Sequence, residues 1–408
     1  MSQSGQSGQR SQSNPSTSIR DSTGRDDTGD GVTPRGRPKT IALVLAGAVA
    51  QGAFEVGAIR ALARSDVRIA RIVASSSGAL NGTVLAAALR RRDPIAGGEA
   101  LADLWREHAA WNDVFHTSFR DLLRREGLSD QKRLLALLRD HVPPSQLADP
   151  APINLRLIVA ALHGCRGAIG ARPATTFESM RDFQGEDFAT PAGLEHVFTA
   201  AVASAAFPLV FAPVDIDGVG PCVDGGAVNN TPMKWALDGA LGAEIDAVVV
   251  VSTSVEHRTQ APDVTGLAPL AGHLAGMLVE ERLYRDLKEA AEINTGLAAL
   301  DQMVVDGKLT PALLREIKQA LGLADRRAVD IVCIRPSSEL PGNAFAGFFD
   351  AGLRRDYLDI GYDRGLEVLG GLGWSHRPVW PSVRHDDLVA VAADPVVLPG
   401  AVEGDRAE

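Results

Sequence analysis

The sequence predicts an α/β fold, with a mostly parallel sheet covered by helices on both faces. Two observations carry this. Short, largely apolar runs of strand length recur at residues 40–45, 68–75, 153–162, 247–253 and 329–335. A strand that is apolar on both sides belongs inside a sheet with both faces covered, where parallel strands are found. Between the runs lie segments with helical spacing, such as Phe54, Gly57, Ala58, Ala61 and Leu62 within residues 53–64. Strands alternating with helices are the pattern of a layered α/β domain.

Residues 40–45 follow a basic, Pro-containing stretch and read as a buried strand. Residues 47–52 form a small-residue loop, and residues 53–64 a helix. Residues 68–75 are the second strand, followed by an Ala- and Leu-rich helix over residues 79–90. Residues 90–150 read as a helical insertion. Within it, Ser129-Asp130 is placed to cap residues 132–139, whose apolar face is Leu134, Leu135, Leu137 and Leu138. Residues 153–162 and 172–178 read as strands, and so do residues 211–216, ahead of a Gly-rich bend. Residues 247–253 contain four consecutive valines. A second helical insertion covers residues 267–323, and residues 329–335 form a last strand. Residues 40–370 are expected to form one domain that carries both insertions.

The chain has 408 residues, 45% hydrophobic and 23% charged, enough to build one large core. Its net charge of −10 argues against a nucleic-acid partner, which calls for a basic footprint. Cys165, Cys222 and Cys333 are far apart and odd in number, which speaks against a disulfide scaffold or a zinc site and suits a cytoplasm. No apolar run approaches the roughly 20 residues of a membrane span. Residues 1–39 are dominated by Ser, Gly, Gln and Thr and are expected to be a disordered tail without the apolar core of a secretory signal. Residues 371–408, with several prolines and an acidic end, are expected to be a loosely ordered tail.

Three places carry chemistry. In Ala74-Ser75-Ser76-Ser77-Gly78 a strand ends, tiny residues make a sharp turn, and a helix begins. That is the layout of a nucleophile elbow, G-x-S-x-G, with Ala74 in place of the first glycine. Ser76 would stand at a helix N-terminus, where developing negative charge is favoured. The bland reading is a Ser-rich turn that caps a helix. Gly47-Ala48-Val49-Ala50-Gln51-Gly52 is a strand–loop–helix bend that can offer backbone N–H groups to an anion, or can simply be a tight turn. It matches neither G-x-G-x-x-G nor a P-loop. In Asp224-Gly225-Gly226-Ala227-Val228-Asn229-Asn230-Thr231-Pro232, an aspartate held at a glycine turn could serve a serine as general base. An ordinary Asp-Gly turn is the alternative.

Together these segments, with Ala203-Ser204-Ala205-Ala206-Phe207-Pro208-Leu209-Val210-Phe211-Ala212-Pro213, resemble the patatin-like phospholipases in order and spacing. The resemblance covers residues 39–369. It implies a three-layer α/β/α fold related to cytosolic phospholipase A2, a Ser–Asp dyad instead of a triad, and no metal or organic cofactor. Ser76 would be the nucleophile and Asp224 the general base and acid. The amides of Gly47, Ala48 and Val49 would form the oxyanion hole. The implied reaction is hydrolysis of fatty acyl esters through an acyl-serine, on a lipid or membrane-surface substrate, by a cytoplasmic or membrane-peripheral protein.

The glycine loop departs from the family's G-G-G-x-[KR]-G. Ala48 and Val49 replace two glycines, and Gln51 takes the basic position. If position 49 needs a positive φ, a β-branched side chain there is strained. This keeps an alternative in play, a catalytically impaired lipid-binding or regulatory relative. A conventional triad of Ser76 with a histidine such as His257 is a further one. Arg90-Arg91-Arg92 reads as a solvated helix end sooner than a headgroup site. Trp105, Trp111, Phe115 and Phe119 read as core sooner than as the wall of an acyl channel.

Overall fold

The computed structural model describes residues 39–115, 129–169, 172–208, 210–238, 242, 244–255, 267–323 and 326–374. The chain opens with β1 (Lys39–Leu45), α1 (Gly52–Ala63), β2 (Val67–Ser75) and α2 (Ser77–Arg90). The first insertion supplies α3 (Pro94–Glu107), the single turn α4 (Trp111–Val114) and α5 (Lys132–His141). Then come β3 (Asn154–Ile169), β4 (Arg172–Gln184), α6 (Pro191–Ser204), β5 (Val214–Ile216), β6 (Gly220–Asp224) and the turn α7 (Gly226–Asn229). The chain continues through β7 (Ala247–Val251), the long α8 (Leu267–Val305), α9 (Pro311–Ala320), β8 (Asp330–Ile334) and α10 (Ala351–Gly371).

The strands form one sheet in the order β5-β6-β3-β2-β1-β7-β8, with β4 attached to β3. β3, β2, β1, β7 and β8 are mutually parallel, while β4, β5 and β6 add antiparallel pairs at one end. The alternation of strand side chains separates two cores. Ile41, Leu43 and Leu45 of β1 face the layer of α1, α2, α3 and α10, with Phe54, Leu85, Leu101 and Tyr357. Ala42 and Val44 face the other way, with Met233, Ala236 and Leu283 of α8. The fold is therefore the expected three-layer α/β/α sandwich with a mostly parallel sheet.

Several boundaries differ from expectation. β3 and β4 run well past the sheet as a two-stranded arm, because their outer halves pair only with each other and show no apolar run to read. The strand expected over residues 211–216 shrinks to Val214–Ile216, since the amides of Val210 and Phe211 both turn back to the Phe207 carbonyl. Lys39 and Gly371, assigned to the tails by sequence, are the first residue of β1 and the last of α10. Residues 372–374 follow α10, and the Trp374 carbonyl accepts from the Asp66 amide; residues 1–38 and 375–408, residues 116–128 with Phe119, and His257 lie outside the described residues.

The arginine run is not a uniformly solvated helix end. Arg90 is buried and donates from Nη1 to the Ser145 carbonyl at 2.5 Å and its hydroxyl at 3.0 Å. Arg92 is exposed and pairs with Asp149. No described helix is long and apolar enough to cross a membrane.

Candidate active site

The register of β3 explains how residues far apart in sequence meet. On one flank, β3 pairs with β2 up to Ile158, which faces Ser75. From Val159 onward β6 pairs with β3, and Val159 faces Asp224. The carboxyl end of β2 and that of β6 thus abut along one edge of β3. Ser76 leaves the first, and Asp224 ends the second. The Ser76 hydroxyl donates to Asp224 Oδ2 at 2.7 Å, across 148 residues of sequence.

Ser76 sits in a strained conformation, φ 54° and ψ −131°, at the head of α2. Such a turn persists only where the surroundings hold it. The Ser76 amide donates to Ser204 Oγ at 3.0 Å, and Ser204 Oγ donates to the Ile158 carbonyl at 2.6 Å. The last residue of α6 therefore pins the turn to β3. The same loop positions the aspartate, for the amides of Asp224 and Gly225 donate to the Ala206 and Ser204 carbonyls, both at 3.0 Å.

Asp224 is 3% exposed. Burial pushes its pKa up to about 6, against the lowering effect of hydrogen bonds from Ser76 and from the Gly226 amide. The direction is that of a buried carboxylate whose charged form is short of solvation. Both of its oxygens are engaged by these two donors, and no histidine bonds to it among the described residues.

The glycine loop packs directly against this pair. A Cβ on Gly47 would come within 2.5 Å of Ser76 Cβ and 2.3 Å of Asn230 Oδ1, so only glycine fits. The Gly47 amide donates to the Asn230 carbonyl at 3.3 Å, and Asn230 Nδ2 donates back to the Gly47 carbonyl at 3.0 Å. The Ala48 amide donates to Ser77 Oγ at 3.0 Å. Two of the three amides expected to face an anion thus already have partners, Gly47 and Ala48. The Val49 amide makes no bond to another described residue.

Val49 adopts φ 52°, so the strain expected of a β-branched residue at this position is present. At a positive φ the usual stability order inverts. The Val49→Gly variant should be more stable than Val49→Ala by about 1 kcal/mol in urea unfolding. Equal stabilities would mean that position 49 relaxes to a negative φ. Gln51, in the position expected to be basic, bonds the Tyr357 hydroxyl and not the site.

Ser76 and Asp224 open into a cavity of about 90 Å³ walled almost wholly by apolar groups. Trp105 and Phe115 line it, together with Leu134, Leu138, Phe211 and Phe348. Trp105 and Phe115 are core residues, as the sequence suggests, and they line the cavity as well. The first helical insertion thus supplies part of the wall of the cavity into which Ser76 opens. Trp111 stacks on Phe115 and Phe349, behind that wall.

Asn81 secures the wall. It accepts from the Trp105 indole at 2.9 Å and donates to the Gly52 carbonyl and to Glu55 Oε2. Glu55 is fully buried, and burial raises its pKa well above the ordinary carboxylate value. Ser204 and Asn230 stand in the motifs and Asn81 three residues beyond the elbow, but nothing in sequence marks what each holds. Among the described residues no group of three His, Cys, Asp or Glu could hold a metal.

No curated protein sequence matches the chain significantly. Among solved structures, VipD from Legionella pneumophila aligns at 13% identity and TM-score 0.35, over 82% of this chain and 67% of that one. The full-length SpcU–ExoU complex from the type III secretion system of Pseudomonas aeruginosa aligns at 17% identity and TM-score 0.23, over 88% and 75%. The family model described as Patatin-like phospholipase matches residues 43–237, which run from β1 through both Ser76 and Asp224. Through that stretch the chain belongs to the patatin-like phospholipases, a family of lipid hydrolases.

Proposed function

We propose that this protein is a serine acyl hydrolase that cleaves fatty acyl esters of lipids through Ser76 and Asp224. The observation that carries the reading is the 2.7 Å bond from the Ser76 hydroxyl to a buried carboxylate, at the mouth of an apolar cavity. A hydroxyl is a weak nucleophile until a base within hydrogen-bond reach takes its proton. Asp224 is such a base, and its raised pKa brings it closer to neutrality, where an acid/base group works best.

In the proposed reaction the acyl chain lies in the cavity with the ester carbonyl above Ser76. Ser76 Oγ attacks the carbonyl carbon while its proton passes to Asp224. The tetrahedral intermediate collapses, Asp224 protonates the departing alcohol or lysolipid, and an acyl-serine remains. Water, deprotonated by Asp224, then releases the fatty acid and restores Ser76.

The oxyanion needs donors that are not already committed. Val49 offers one. The Ser77 amide, first in α2 and next to the nucleophile, offers another, as in other strand–turn–helix serine hydrolases. The Gly47 and Ala48 amides would join only by exchanging their present partners. This favours a hydrolase of modest rate over an inert relative, since loss of one oxyanion donor typically costs about 10²–10³.

A fluorophosphonate probe reports the reading directly. Wild type should be labelled at Ser76, and Ser76→Ala should not be labelled while remaining folded by circular dichroism. Absence of labelling in folded wild type, together with retained binding to lipid, would favour the non-catalytic alternative.

A further inference from the structure

The arm formed by the outer halves of β3 and β4 has no part in the chemistry above. β3 runs parallel to β2, and β2 stops at Ser75, opposite Ile158, while β3 continues to Ile169. The arm therefore leaves the sheet at the edge where Ser76 stands, and points the same way. At about 3.3 Å per residue it reaches up to about 35 Å. A bulge between Ala160 and Cys165, with Gly164 at φ 72°, bends it near its base.

Its surface is unusual for a ribbon in water. Ile169 is 77% exposed, Phe177 54% and Leu162 49%. A two-stranded ribbon has no second layer on which to bury such groups. Residues 162–177 contain Arg166 and Arg172, both exposed, and no carboxylate, on a chain whose net charge is −10. Glu178, the first carboxylate beyond the arm on β4, sits at its base opposite Ala160 and is paired with Lys234, while Asp215 of β5 and Asp217 of the β5–β6 turn lie beside that base, where Cys222 pairs with Ala161. Ile169 and Arg172 pair with each other at the far end, beyond them. Pro173 and the bulge interrupt the arm's free edges, which disfavours strand pairing with a second copy.

We propose that this arm is a membrane-docking element: Ile169 at its end enters the interface of an anionic bilayer, Phe177 and Leu162 nearer its base extend the apolar contact, and Arg166 and Arg172 meet the headgroups. The catalytic edge is thereby seated facing its substrate. The proposal rests on the lipid hydrolase reading for its purpose, but its test does not need turnover.

Co-sedimentation of the full chain with vesicles of ether-linked phosphatidylcholine, with and without ether-linked phosphatidylserine, measures docking on lipids that cannot be hydrolysed. Wild type should bind the phosphatidylserine vesicles more tightly, and salt should weaken this preference. Arg166→Ala/Arg172→Ala should lower that affinity about thirtyfold, at roughly fivefold per arginine. Ile169→Ser/Phe177→Ser should weaken binding to both vesicles. All of these residues are exposed, so both variants should keep the wild-type melting temperature and the wild-type rate on a soluble p-nitrophenyl ester. Vesicle affinity unchanged in both variants would overturn the proposal. So would a wild-type dimer that both variants dissociate without any vesicle binding, which would make the arm a contact between copies. A wild type inert on the soluble ester would count against the hydrolase reading alone.

Discussion

Asp224→Asn is expected to abolish ester hydrolysis and at the same time make the protein more stable at alkaline pH. Asparagine is close to isosteric and can still accept from the Gly226 amide, but it cannot take a proton from Ser76. General-base catalysis is worth about 10²–10⁴ in rate, so kcat should fall at least a hundredfold. The stability effect follows from where the carboxylate sits. Its pKa rises from 3.8 to about 6 in the folded chain because burial penalises the charge. Below pH 3.8 the group is protonated in both folded and unfolded states and costs nothing extra. Between there and about 6 the folded chain holds a proton that the unfolded chain has lost, so wild-type stability declines as pH rises.

Above that window the penalty is constant at about 3 kcal/mol, from roughly 1.4 kcal/mol per pKa unit. Removing the charge also removes its charge-assisted bonds from Ser76 and Gly226. The net gain of Asp224→Asn at pH 8 should therefore be about 1–3 kcal/mol, and it should vanish near pH 4. Urea unfolding at the two pH values measures the difference. In wild type, kcat/KM should rise with pH through about 6, as Asp224 loses its proton. An Asp224→Asn variant that is less stable than wild type at pH 8 would show that the buried charge is held by more than the two bonds described. A variant retaining a tenth of wild-type activity would remove Asp224 from the role of base.

What could be read in the sequence, and what could not, divides along physical lines. β1 and β7 were legible because a central parallel strand is apolar on both faces, and Lys39–Leu45 and Ala247–Val251 are buried at nearly every position. Ser76 and Asp224 were legible because each stands in a turn whose crowding demands small neighbours. The strain at Val49 could be posed as a question from the loop's departures and is answered by its φ of 52°.

α10 left no trace. It packs on α1 through glycines, which carry no apolar signal. A Cβ on Gly361 would lie 2.0 Å from the Phe54 carbonyl oxygen, and one on Gly57 2.1 Å from that of Leu358. The arm was cut short because its outer residues alternate without a buried side. The partners of the Gly47 and Ala48 amides were invisible because Asn230 and Ser77 reach them only after the sheet has formed.

Ser204 is the clearest case of a residue whose importance exists only in three dimensions, and its removal should be costly twice over. Its hydroxyl is fully buried, accepts from the Ser76 amide and donates to the Ile158 carbonyl. Ser204→Ala leaves a buried donor and a buried acceptor without partners, at about 1–3 kcal/mol each. Some relaxation is available, so a loss of about 2–4 kcal/mol in urea unfolding is expected. The second cost is kinetic. The positive φ of Ser76 is held partly by that amide bond, and without it the turn can relax and carry the hydroxyl away from Asp224. Because Ser204 does not line the cavity, KM for a soluble ester should change little while kcat falls about 10–100-fold, as expected when a reacting group is displaced by about 1 Å. Fluorophosphonate labelling of Ser76, followed well below the melting temperature, should slow in proportion to kcat. A variant that is less stable yet labels and turns over at the wild-type rate would mean that Ser204 braces the sheet alone, and that the strained turn is kept by Asp224, Gly47 and the start of α2.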